Sequence, residues 1–206
     1  MRALIVANGT LPSYDRLRSA ISDAEYVVAV DGGANGLHSL GLTAHAVLGD
    51  FDSVIPGSLP AVPRISAADQ DYTDLDKAVQ ILIDKGASTI TMTGVTGDRL
   101  DHTFGALCVL AKYGRRIPIT LLDEVATGRL VVKNFIMKAT IGQTISLLPL
   151  GIVQGVTTTG LRWPLHDDLL ALGRRDGLSN RASSETVTVT AKDGNLVIYA
   201  HHPVDS

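Results

Sequence analysis

Apolar residues follow two different rhythms along this chain, and the change comes near residue 125. Before it, short apolar runs at 3–7, 26–30, 46–48, 89–92 and 117–122 alternate with stretches in which apolar residues recur every three or four positions. Leu17, Ala20, Ile21 and Ala24 predict a helix after the first run. Leu75, Val79, Leu82 and Ile83 predict another, with Thr73 placed to cap it and Gly86 to stop it. Leu100, Phe104, Leu107, Cys108 and Ala111 mark a third, ending near Gly114. Strand runs alternating with helical stretches predict an α/β domain over 1–124, Rossmann-like and mainly parallel.

Beyond 125 the apolar segments are short, rich in Thr, Val and Ile, and separated by Gly, Pro and Asp, as at 130–132, 144–148, 153–159, 186–190 and 196–199. This pattern predicts an all-β domain, a small sandwich or barrel, and residues 125–206 are assigned as the sandwich. At 206 residues and 45% hydrophobic content the chain can bury such cores. No apolar run approaches the roughly 18 residues that cross a bilayer, and the first residues lack a signal-peptide pattern, so a cytoplasmic protein with no membrane partner is expected. The single cysteine, Cys108, lies in a helical apolar stripe and reads as a buried structural thiol.

Charge separates the two parts. Residues 1–124 carry 15 acidic and 10 basic side chains, whereas 125–206 carry 6 and 8. An acidic part without a Lys/Arg run repels a phosphodiester backbone, which argues against nucleic acid and for a small phosphate bridged by metal.

The acids concentrate where strands are predicted to end, the edge at which open α/β sheets bind ligands. Asp31-Gly32-Gly33-Ala34-Asn35 follows the run at 26–30; its glycines either let a phosphate, ribose or base approach the backbone or simply make a strand-to-helix turn. Asp50 and Asp52, in Gly-Asp-Phe-Asp-Ser, would project to one side of an extended backbone with Phe51 opposite, a spacing suited to one hard cation. Asp69, Asp71, Asp74 and Asp76 crowd a helix entry; Asp76 could complete a capping box with Thr73, but capping accounts poorly for four acids. In Gly94-Val95-Thr96-Gly97-Asp98-Arg99-Leu100-Asp101-His102, Arg99 is either a phosphate clamp or a partner of Asp98 or Asp101.

These four motifs, in this order, resemble those of the thiamine pyrophosphokinase family. The segments at 156–165 and 178–180 resemble its thiamine-site segments in the second domain. The resemblance implies transfer of the pyrophosphoryl group of ATP to the thiamine hydroxyl, giving thiamine diphosphate and AMP. It implies that Asp50, Asp52 and Asp101 hold Mg2+, with Asp31 and Asp74 completing the acidic site, and it leaves open which carboxylate takes the hydroxyl proton. Gly32, Gly33, Gln70 and Arg99 would position ATP, and Trp163, Ser179 and Asn180 would face thiamine. A homodimer with active sites between subunits is implied as well. Without the resemblance Trp163 could equally be a core residue, and Ser179-Asn180 a plain turn. A magnesium-dependent phosphohydrolase and a non-catalytic thiamine-binding protein are the alternatives.

Overall fold

The computed structural model describes residues 1–55, 62–66, 71–97 and 99–203, so Gln70, Asp69 and Asp98 lie outside the described residues. The fold is mixed α/β and divides into two compact units, Met1–Glu124 and Val125–Ser206.

In the first unit, strands β1 (Arg2–Val6), β2 (Tyr26–Val30), β3 (Ala46–Gly49), β4 (Arg64–Ser66), β5 (Thr89–Thr93) and β6 (Ile119–Leu122) pair in the order β4-β3-β2-β1-β5-β6, every pairing parallel. Helices α1 (Tyr14–Asp23), α2 (Gly33–Ser39), α3 (Asp74–Asp84) and α4 (Leu100–Tyr113) fall between them in sequence. Leu4, Ile5 and Val6 of β1 are wholly enclosed. Such a continuous apolar strand is what a sheet covered on both faces requires, and each side chain contributes roughly 1.5 to 3 kcal/mol by burial. The chain builds outward from β1 to β4 on one side and resumes with β5 on the other. The carboxyl ends of β1 and β5 therefore flank a topological switch point.

Thr73 caps α3, its Oγ1 accepting the Asp76 N–H at 3.2 Å. The Asp76 carboxylate does not return to complete the box; it accepts from Tyr113 Oη at 2.6 Å and from Lys112 Nζ at 2.8 Å, tying α3 to α4.

The apolar stripe read for α4 does not face the core. Its buried residues are Ala106, Val109, Leu110 and Tyr113, while Leu100 and Phe104 are 84% and 58% exposed. Cys108 is exposed too, contrary to the expected buried thiol. The helix has apolar residues on more than one face, and periodicity alone does not say which face meets the sheet.

The second unit is antiparallel. Strands β7 (Ala126–Leu130), β8 (Asn134–Lys138), β9 (Thr144–Thr159), β10 (Asp168–Ala171), β11 (Gly177–Arg181), β12 (Thr186–Thr190) and β13 (Asp193–His201) run in the order β7-β13-β9-β12-β8, with β10 and β11 also on β9. In β12, Val187 and Val189 point into the core and the threonines away from it, the alternation a half-buried strand needs. The segments read as separate strands at 144–148 and 153–159 are one long strand. Gly151 and Gly155, at φ +97° and +67°, bend it rather than end it.

Candidate active site

Because all six strands of the first unit run the same way, their carboxyl ends share one edge, and the loops there carry the acidic motifs. Asp31 follows β2 at φ +44°, with its N–H on the Leu48 carbonyl at 2.9 Å. The carboxylate is partly enclosed, and no donor among the described residues reaches its buried Oδ1. Its pKa is pushed up to about 7, first by burial, then by the neighbouring Asp74 carboxylate, then by the charges of Asp50 and Asp52. Asp31, Asp50, Asp52 and Asp74 therefore form one electrostatic group, drawn from two strand ends and a helix start. Lys77 Nζ, 3.0 Å from Asp74 Oδ1, offsets part of its charge.

Asp50 and Asp52 do not sit on extended backbone. Gly49 at φ +144° and Phe51 at φ +68° turn the chain, and the Asp52 N–H donates to Asp50 Oδ1 at 3.2 Å in a local turn. Phe51 packs against the core beneath β2 and β3, so the two carboxylates stay at the rim through this turn rather than through strand alternation.

The Gly32-Gly33 turn is crowded by the protein itself. A Cβ on Gly32 would lie 2.3 Å from the Asn8 side chain, and one on Gly33 would lie 2.1 Å from the Val6 carbonyl oxygen. The glycines let α2 start directly against the end of β1. Gly97 is confined in the same way, by Thr10 Oγ1 at 2.0 Å. Residues 8–10, which sequence reading passed over, bind the β5 loop through Gly9 N–H on Gly94 O at 2.6 Å and Thr10 N–H on Thr96 O at 2.8 Å. The signal available was an Asn-Gly pair directly after an apolar run.

Arg99 and Asp101 pair with each other. Arg99 grips Asp101 with two bonds, Nε to Oδ1 at 3.1 Å and Nη2 to Oδ2 at 2.5 Å, on an exposed surface. The hydrogen bonds to Arg99 hold the Asp101 carboxyl below the usual range. Of the pairings considered for Arg99, the Asp101 one is present, and the two side chains neutralise each other before any ligand arrives.

In the second unit Trp163 is 54% exposed with the Arg162 guanidinium 5.0 Å over its ring, so it is not a core residue. Asn180 is buried and clamps the Trp163 main chain, donating to Trp163 O at 2.7 Å and accepting from Trp163 N–H at 3.2 Å. Ser179 is exposed at φ +56°, in an irregular stretch of β11 rather than a turn, and its N–H donates to Ser146 Oγ at 2.9 Å. Trp163 and Ser179 thus offer surface to a ligand, while the Asn180 amide is occupied in holding Trp163.

Two family models match in sequence order: the thiamin pyrophosphokinase catalytic domain over residues 17–121 and the thiamin pyrophosphokinase vitamin B1 binding domain over 134–196. The chain belongs to the thiamine pyrophosphokinase family. Thiamine pyrophosphokinase 1 of Oryza sativa subsp. japonica is 30% identical over 229 residues, covering 95% of this chain and 85% of that protein. The thiamine pyrophosphokinase of Bacillus subtilis is 28% identical over 205 residues, covering 94% and 95%. The crystal structure of the thiamine pyrophosphokinase from Bacillus subtilis superposes with a TM-score of 0.85 at 26% identity, over 99% of this chain and 100% of that one. The catalytic-domain match of this thiamine pyrophosphokinase family member spans the Asp31 group, and its vitamin B1 match spans Trp163, Ser179 and Asn180.

Proposed function

We infer that this protein transfers the pyrophosphoryl group of ATP to the hydroxyl of thiamine, giving thiamine diphosphate and AMP. The observation that carries the reading is the grouping of Asp50, Asp52 and Asp74 around partly enclosed Asp31 in the stretch matched by the catalytic domain. In this reading the Rossmann-like unit binds ATP, and the second unit, as a β-sandwich, binds thiamine. The protein works as a cytoplasmic homodimer whose sites combine residues of both subunits.

Mg2+ is the metal this reading requires. Among the described residues no group of three or more His, Cys, Asp or Glu side chains is placed to hold a metal ion. Magnesium is commonly held by one or two carboxylates while water and phosphate oxygens complete its shell. An open rim of hard oxygen donors beside Asp31 Oδ1, which no donor among the described residues reaches, fits that requirement. Asp50 and Asp52 would hold the ion, with Asp101 available once Arg99 turns to a phosphate. When bound, magnesium would neutralise charge on the transferred group and on departing AMP.

The protein's own groups do the rest. Asp31 and Asp74 complete the acidic site, one of whose carboxylates accepts the thiamine hydroxyl proton. Arg99 supplies a guanidinium for ATP phosphates, Gln70 and the Gly32-Gly33 turn position the nucleotide, and Trp163, with Ser179 nearby in sequence to Asn180, receives a thiamine ring. The test is incubation of purified protein with ATP, magnesium and thiamine. AMP formed together with thiamine diphosphate supports the reading; phosphate release without thiamine points to a hydrolase, and thiamine binding without turnover to a binding protein.

A further inference from the structure

Asn35 lies on α2, four residues after Asp31, and its side-chain amide is spent on another loop. Nδ2 donates to the Ser53 carbonyl at 2.8 Å, and Oδ1 accepts from the Ile55 N–H at 2.9 Å. Ser53 directly follows Asp52, and Ile55 lies two residues beyond it. That loop leaves the sheet after Gly49, the last paired residue of β3, and φ is positive at Gly49 and at Phe51. Asp50, Asp52 and Ser53 are all exposed, so burial does little to fix them. Their own hydrogen bonds, Asp52 N–H to Asp50 Oδ1 at 3.2 Å and Ser53 Oγ to Asp52 Oδ1 at 2.8 Å, shape the turn without anchoring it. Anchorage comes from Phe51 below and from the Asn35 amide at the far end.

We propose that Asn35 is a positioning residue that presets Asp50 and Asp52 to receive a divalent cation. This rests on the reading above, in which those carboxylates hold the metal. The side chain suits the task because one end must donate and the other accept. An aspartate there would set an anion against the Ser53 carbonyl, and a glutamine would reach a methylene too far. Without the amide, the loop must be ordered at the moment of binding, and the cost appears as weaker metal affinity.

Mn2+ serves as probe, titrated calorimetrically into the nucleotide-free protein in four forms: wild type, Asn35→Ala, Asp52→Asn and the double variant. Two lost hydrogen bonds predict that Asn35→Ala weakens Mn2+ binding by about fivefold to thirtyfold. In the Asp52→Asn background the same change should cost less than in wild type, because only Asp50 is left for it to position. Turnover of Asn35→Ala should recover at high magnesium with the thiamine KM unchanged. Unaltered Mn2+ affinity in Asn35→Ala, or an equal loss in both backgrounds, overturns the proposal. If wild type itself fails to bind Mn2+, the metal assignment of Asp50 and Asp52 falls first, and the positioning role with it. Where Asn35→Ala melts below the assay temperature, Asn35→Asp takes its place: weaker Mn2+ binding despite the added negative charge supports positioning, and tighter binding overturns it.

Discussion

The Asp31 carboxylate occupies the space that a side chain on Gly49 would need: a Cβ built there falls 1.6 Å from Asp31 Oδ1. Gly49 also sits at φ +144°, which L side chains rarely adopt. Gly49→Ala should therefore both strain the backbone and expel the carboxylate, lowering stability by about 1 to 3 kcal/mol and abolishing most turnover. Thermal unfolding and steady-state kinetics on the same preparation check it, and a variant with unchanged melting temperature and activity would mean the loop relaxes freely.

Asp31 holds its proton more tightly folded than unfolded, since its pKa rises from the ordinary 3.8 to about 7. The folded state then binds the extra proton between those values, so this group's contribution to stability falls as pH rises through that window and levels off above it. In metal-free buffer, Asp31→Asn should flatten the slope of melting temperature between about pH 4 and about pH 7 and gain relative stability at the upper end. A slope identical to wild type would show that Asp31 is not the group that titrates.

Asp50→Asn and Asp52→Asn should each leave the fold intact and lower turnover by at least about tenfold, the scale of roughly 1.4 kcal/mol of lost transition-state stabilisation. Both side chains are exposed, so no core packing is lost with the charge. Higher magnesium should restore part of the rate. Near-normal rates in both at low magnesium would remove them from the metal site.

Trp163→Ala should damage thiamine use far more than ATP use. Over half of the residue is exposed, so its removal leaves no large cavity and the melting temperature should hardly move. Stacking or cation–π contact is worth roughly 0.5 to 2 kcal/mol, which predicts a fall in the specificity constant for thiamine by a factor of a few to a few tens. Asn180→Ala should mimic that selective loss while also lowering stability, because it unties the Trp163 main chain and leaves part-buried peptide groups without this partner. Equal damage to both substrates in Trp163→Ala would end its assignment to thiamine.

The proposal that active sites combine residues of two subunits makes a complementation prediction. Asp52→Asn and Trp163→Ala subunits, each impaired, should regain thiamine diphosphate synthesis at subsaturating thiamine when exchanged into mixed dimers, with one intact site per heterodimer. Verified exchange without recovery would place each site within a single chain.

What the sequence by itself determined is local or additive. Period-two runs such as Thr186 to Thr190 and apolar runs such as 26–30 are strands because backbone pleating and burial act on neighbours in the chain. The acidic motifs were legible as strand-end features for the same reason, and their order carried the family. Tertiary structure alone decided whatever depends on residues distant in the chain. The glycines of the Asp31 turn are filled by Asn8 and Val6, brought there by the pairing of β1 with β2. The face α4 buries is set by the sheet beneath it, and the Asn180 amide is consumed by a loop 17 residues away. The raised pKa of Asp31 has the same origin: burial and three other carboxylates act across space, and no spacing along the chain encodes that distance.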